Sequence, residues 1–334
     1  MKAEYTLGSH LRLFLSDYQP RQCNASPNTI WAYRDSLKQL LCYVAKVKKR
    51  SVAELKLTDL EHRRVLDFLE SIESENGNSI STRNHRLAAI RSFFRYVALT
   101  NPEAVELAAQ ILTIPTKKTE SKSMDYLTKE ELAVILRQVN LDSQAGRRDD
   151  ALLRFLHNTG ARVQEVVDLK ASDLRLDETP SARIFGKGRK ERFCPLWRET
   201  AQRISELLSE RQVDPNSSES VFTNSQGKKL TRFGVTYILE KYVQMATKSA
   251  PTLGRKNIHP HTFRHTTALH LLQAGVDLNT IRCWLGHADV STTNRYVEID
   301  LEMKRKALSS MVAPTGQNRR LAMNDNLLVW LESI

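Results

Sequence analysis

His261-Thr262-Phe263-Arg264-His265 is the stretch from which the fold of this 334-residue chain can be read. His261 and Arg264 stand three apart and so share one helical face, at the start of a helix predicted near 262–274. Downstream comes Trp284-Leu285-Gly286-His287, and Ser291-Thr292-Thr293-Asn294-Arg295-Tyr296 then places Tyr296 nine residues beyond His287. Upstream lies Thr159-Gly160-Ala161-Arg162-Val163-Gln164-Glu165. Between the two, Ala182, Ile184 and Phe185 lead into Gly186-Lys187-Gly188-Arg189-Lys190, and Arg192, Phe193 and Leu196 lead out. Two short β-prone runs around a Gly-rich basic tip read as a hairpin. Further helices are predicted near 198–211, 231–249, 277–285 and 291–297.

Composition narrows the class before any chemistry is assigned. A chain of this length is expected to form about two domains. Hydrophobic residues at 41% and charged residues at 26% exclude disorder, collagen and coiled coil. No apolar run reaches the roughly 18 residues of a membrane-crossing helix. Met1-Lys2-Ala3-Glu4-Tyr5 lacks the apolar core of a secretory signal. Fifty basic against 38 acidic side chains leave +12, which points to a polyanion, nucleic acid first. Cys23, Cys42, Cys194 and Cys283 are too scattered for a metal knuckle and too few for a disulfide scaffold, and read as reduced core thiols.

The chain divides into a helical part over 1–112, a basic linker over 113–125, a second domain over 126–313 and a tail over 314–334. Leu11, Phe14, Leu15 and Tyr18 mark a first helix; Ser26-Pro27 opens a second, with Ile30, Tyr33, Leu37, Leu40, Leu41 and Val44 as its stripe. Leu60, Val65, Phe68, Leu69 and Ile72 mark a third. Ser81 or Thr82 can cap a fourth, whose apolar face is Leu87, Ile90, Phe93, Phe94 and Val97. Its other face carries Arg83, Asn84, Arg86 and Arg91, either a solvated surface or one laid along DNA phosphates. Lys117 and Lys118 in the linker are of the same kind. Thr128 and Glu131 form a capping box that opens the second domain.

Taken together, these motifs resemble the tyrosine recombinases of the phage integrase family, Xer-like members included. The family pattern is an Arg in a Thr-Gly-x-Arg-x-x-Glu turn, a Lys in a Gly-Lys-Gly hairpin, a His-x-x-Arg box, a Leu-Gly-His box and a Tyr nine residues on. Every element occurs here in order, across the whole second domain. The resemblance implies a mainly α, two-domain fold: a helical SAM-like core-binding domain, then an α+β catalytic domain with a small β-hairpin sheet. It also implies a site-specific recombinase that cleaves and rejoins DNA through a 3′-phosphotyrosine and a Holliday junction, for integration, excision or transposition of a mobile element. Neither cofactor nor metal is implied. The implied partners are double-stranded target sites and a homotetramer, or a hetero-tetramer with a paralogous recombinase, in the cytoplasm at the nucleoid.

The residues make chemical sense for that reaction. Phosphodiester cleavage by a covalent route needs a nucleophile, an acid for the leaving alkoxide, and fixed positive charge around the transition state. Arg162 and Arg264 offer permanently charged forks for the non-bridging oxygens, and His287 can donate a further hydrogen bond. Tyr296 supplies the phenol oxygen, with Tyr237 or Tyr242 next in line. His261 can accept its proton, Lys187 is the implied general acid, and Glu165 would orient an arginine or histidine from behind. His261 and His265 also have a metal-ligand spacing, with His259 as a third candidate, but no carboxylate joins them and no metal is assigned. The rival readings are a type IB topoisomerase-like DNA-relaxing enzyme and a DNA-binding protein without catalysis. In the tail, Leu327, Leu328, Leu331 and Ile334 form one apolar face, and the resemblance implies docking on a neighbouring protomer.

Overall fold

The computed structural model describes residues 6–75, 77–119, 124–186 and 190–286. Lys187, His287, Tyr296, the helix expected near 291–297 and the tail lie outside them. The chain separates into two compact units, residues 1–122 and 123–334.

The first unit is all helix. α1 (Leu7–Leu13) runs into a π-type stretch, Phe14–Gln22, containing Pro20, which has no N–H to close an ordinary helical turn. α2 (Pro27–Lys48) starts on the Ser26 cap with Pro27 at its first position, as read from the sequence. α3 is His62–Ser74, α4 Ile80–Thr100 and α5 Val105–Leu112. The cap of α4 is Ser79 rather than Ser81 or Thr82, because Ser79 is extended and its hydroxyl accepts the Thr82 N–H at 3.3 Å. Phe14, Leu40, Leu87, Ile90, Phe93 and Phe94 fill the core. Phe14 meets Phe93 edge-on at 5.4 Å between ring centres.

The second unit is built around α7 (Gln144–Thr159), whose Leu152, Leu153, Phe155 and Leu156 are all fully buried. α6 (Lys129–Arg137) opens on the expected box: the Thr128 hydroxyl accepts the Glu131 N–H at 3.2 Å and Glu131 accepts the Thr128 N–H at 2.9 Å. The short α8 (Val163–Val167) is followed by a sheet of β1 (Leu174–Arg175), β2 (Ser181–Phe185) and β3 (Glu191–Pro195). All pairs are antiparallel, with Leu174 opposite Ala182 and Ala182 opposite Cys194. The hairpin read from the sequence is therefore the larger part of a three-stranded sheet. α9 (Arg198–Glu210), α10 (Arg232–Thr247), α11 (Pro260–Gln273) and α12 (Leu278–Leu285) complete the unit. Of the cysteines only Cys194 is in the core; Cys23, Cys42 and Cys283 are exposed, which corrects the expectation of core thiols, and all four are free.

The stretch expected as a linker is anchored at both described ends. Ile114 is fully buried in the first core. At the other end Asn257 donates its N–H to Asp125, and the Leu127 N–H reaches the Thr266 hydroxyl on α11 at 2.9 Å. No helix among the described residues is long and apolar enough to cross a membrane.

α7 and α11 are also joined by an imidazole pair, His157 Nε2 to His270 Nδ1 at 3.1 Å. Burial, reinforced by His270, pushes the His157 pKa down from 6.5 to about 4. Protonation is thus disfavoured in the folded state, and stability present above pH 6.5 is lost as pH falls toward 4. The loss is expected to be on the order of 3 kcal/mol, and His157→Gln should flatten that limb of a thermal-midpoint-against-pH curve. An unchanged limb would show that other groups set the acid stability.

Candidate active site

α7 ends because Gly160 adopts the left-handed conformation, φ 58°. A Cβ there would stand 2.5 Å from Leu285 Cδ2, so the close approach of the α12 end also requires glycine. The turn exposes the Gly160 carbonyl, and Arg264 on α11 donates Nη1 to it at 2.7 Å. Arg264 Nη2 donates to the Leu285 carbonyl at the end of α12. Arg264 is 3% exposed, so its charge is held between two helix C-termini, where the dipoles favour a cation.

Two residues beyond Gly160, Arg162 precedes the first turn of α8 in extended conformation. Glu165, on that turn, accepts the Arg162 N–H at 2.9 Å and Arg162 Nη1 at 2.8 Å. The same carboxylate accepts Arg192 Nη2 from β3 at 2.8 Å. Burial pushes the Glu165 pKa up, but the two guanidinium groups, Arg192 foremost, outweigh it and hold the carboxyl below its usual range. Glu165 therefore holds two arginines, Arg162 and Arg192.

His261 sits one turn before Arg264, exposed. Partial desolvation, then the neighbouring His259, Arg264 and Arg162, hold its pKa below the ordinary imidazole value. The ring is thereby biased toward the neutral form that can take up a proton. His259 caps α11 by accepting the Thr262 N–H on Nδ1 at 3.3 Å, which commits it to the helix start. α12 closes on Gly286, again left-handed at φ 64°, immediately before position 287.

The structure thus brings Arg162, Glu165, His261 and Arg264 together from two segments about a hundred residues apart in the sequence. The second-choice phenols fare differently. Tyr242 is buried and donates its hydroxyl to Asp149 at 2.9 Å, and burial together with that carboxylate pushes its pKa up. Tyr237 is 69% exposed on α10.

Two members of the site were missed in the sequence. Arg192 links the sheet to Glu165 and, through Nε, to the Trp284 carbonyl at 2.8 Å. Asn158 is buried, donates to the Pro195 carbonyl at 3.0 Å, accepts the Trp197 N–H at 2.8 Å, and its own carbonyl receives the Trp284 indole N–H at 3.2 Å. The sequence carried no signal for either: Arg192 follows the charged run Arg189-Lys190-Glu191, and Asn158 stands between His157 and Thr159.

On the arginine face of α4, Arg83 departs from the expectation of a solvated or phosphate-facing side chain, while Arg86 and Arg91 are half-buried. Arg83 is 3% exposed and donates to the Pro115 carbonyl at 2.8 Å. Arg91 donates to the Ile114 carbonyl, and Arg86 to the Ser36 hydroxyl at 3.1 Å. These side chains fasten residues 114–115 and α2 to α4, so part of the polar face of α4 packs against chain. Lys117 is exposed and paired with Glu73 at 2.7 Å, while Lys118 is exposed.

Residues 125–303 match the phage integrase family and residues 11–100 match the phage integrase N-terminal SAM-like domain. The chain belongs to the phage integrase family. Along its full length it is 36% identical to y4rC of Sinorhizobium fredii, a protein assigned by name to the integrase/recombinases, and spans all of that protein. It is 31% identical to the tyrosine recombinase XerC of Staphylococcus carnosus over 284 residues, 84% of this chain and 90% of XerC. Among solved structures it is similar to the XerH site-specific recombinase bound to difH substrate, with a TM-score of 0.67 and 25% identity over 89% of this chain and 83% of that one. This integrase-family chain is accordingly a tyrosine-type site-specific recombinase with a helical SAM-like first domain.

Within this recombinase, Arg83→Met should lower the stability of the first unit by about 2 kcal/mol, because the Pro115 carbonyl and the Glu73 carboxylate lose a buried cationic partner. Lys118→Met should stay within about 0.5 kcal/mol. Equal denaturation midpoints for the two variants would return Arg83 to a surface role.

Proposed function

We propose that this recombinase cleaves and rejoins duplex DNA at specific sites through a 3′-phosphotyrosine on Tyr296. The observation that carries the reading is the buried, carbonyl-held Arg264 beside the Arg162–Glu165 pair and His261. That grouping places two permanent positive charges and a neutral imidazole on one site, which suits a pentacovalent phosphate carrying extra negative charge.

In the proposed reaction the Tyr296 oxygen attacks phosphorus as its proton passes to His261. The bond to the 5′ oxygen breaks, and Lys187 protonates that oxygen. Arg162, Arg264 and His287 neutralise the non-bridging oxygens. The phosphodiester energy is kept in the protein linkage, so a 5′ hydroxyl from a second site can attack the phosphotyrosine and restore a DNA bond. Two such rounds, on paired sites held by a tetramer, give a Holliday junction and then recombinants. Similarity to y4rC, XerC and the DNA-bound XerH supports DNA as partner, with integration, excision or resolution of a mobile element as the setting. Lys118 and its neighbours would add phosphate contacts. The molecule would act in the cytoplasm, on nucleoid DNA.

A nicked suicide duplex built from DNA flanking the gene tests this. The wild-type protein should form a gel-stable adduct in excess EDTA, since arginines occupy the places where nucleases put metal ions. Tyr296→Phe should bind the same duplex and form none. An adduct with Tyr296→Phe, or full dependence on added metal, would overturn the assignment. Relaxation of supercoils lacking the site would favour the topoisomerase-like reading.

A further inference from the structure

The Arg192 side chain is 9% exposed, lies on β3, and carries none of the chemical roles above. It is nevertheless bound at both ends of the site. Nη2 donates to Glu165 and Nε to the Trp284 carbonyl, each at 2.8 Å. A Cβ on Gly286 would come within 3.3 Å of its Cδ and Nη1, so the turn before position 287 rests directly on this guanidinium.

Charge counting gives the arrangement a meaning. Glu165 brings one negative charge and is 4% exposed, so it must be compensated locally. Arg162 with Glu165 alone is a neutral pair. Adding Arg192 leaves one positive charge on the trio. Arg162 is also the more exposed of the two cations, 32% against 9%. Among the described residues only its Nη1 is engaged through the side chain, on Glu165. The excess charge therefore sits on the arginine that faces outward.

We propose that Arg192 is a positioning residue that balances Glu165, so that Arg162 keeps a net positive charge for the scissile phosphate. The inference rests on the reading of this site as one that binds a phosphodiester. Without Arg192 the buried carboxylate would draw Arg162 into a tighter pair, and its fork would turn from the substrate toward Glu165.

Single-turnover cleavage of the suicide duplex, with DNA affinity and thermal midpoint measured alongside, tests the idea. Arg192→Met should bind DNA within about threefold of wild type and cleave about 30-fold more slowly. Arg192→Met combined with Glu165→Gln removes both the carboxylate and its balancing cation, and should recover at least about tenfold of that loss. On a duplex with a methylphosphonate at the scissile position, which lacks one anionic oxygen, the Arg192→Met deficit should shrink to about fivefold or less. A merely structural role would leave the deficit equal on both substrates and the double variant no faster than the single one, and either result overturns the inference. Should Arg192→Met fail to fold, Arg192→Lys decides: it keeps the charge and should cleave within about fivefold of wild type, whereas a folded but 30-fold slower Arg192→Lys would overturn the proposal. Absence of an adduct with the wild-type protein overturns this inference together with the recombinase chemistry. The other outcomes overturn this one alone.

Discussion

A guanidinium buried in a core needs partners for its N–H groups, and Arg264 finds two of them on main chain. The Gly160 carbonyl closes α7 and the Leu285 carbonyl closes α12, and both point at one side chain. Helix ends leave such carbonyls unpaired by construction, so the acceptors are available without new polar groups in the core. The arrangement fixes three helices relative to one another. Neutral carbonyl oxygens solvate a cation without cancelling its charge.

Glu165 sets the second half of the site by the opposite device. It is a charged acceptor shared between two arginines, and it also takes the N–H that begins α8. Sharing satisfies a buried carboxylate that a single ion pair would leave short of donors. The sheet is tied in through the same atoms, since Arg192 belongs to β3 and reaches the end of α12 as well. Asn158 repeats this on the far side by joining β3 to Trp284. The strands that flank position 187 and the helix that precedes position 287 are thus referred to one set of contacts.

Much of this was legible in the residues. Spacing placed His261 and Arg264 on one helical face, the Thr128–Glu131 box marked the start of the second unit, and the order of motifs identified the family. Periodicity was silent on what packs against a polar face. Arg83, Arg86 and Arg91 looked like a surface because helical spacing separates them from the apolar stripe, but residues 114–115 and Ser36 lie against that face. The strand Leu174–Arg175 is two residues long, too short to show alternation, and owes its existence to pairing with β2. Ser79 outcompeted Ser81 and Thr82 as a cap because Ile80 already takes helical angles. Arg192 and Asn158 carried no motif, since their roles come from partners distant in the chain.

Holding a buried cation on carbonyl oxygens has a consequence for how such a protein can change over evolutionary time. Every residue type presents the same carbonyl, so the oxygens at 160 and 285 do not depend on which side chain is attached to them. What the shell demands at 160 is backbone shape, a left-handed turn pressed against a neighbour. At 285 it demands only an apolar side chain that fits the core. Selection on this part of the site therefore acts on glycine positions and core volume. Wide sequence divergence can accumulate around Arg264 while the geometry that holds it stays the same.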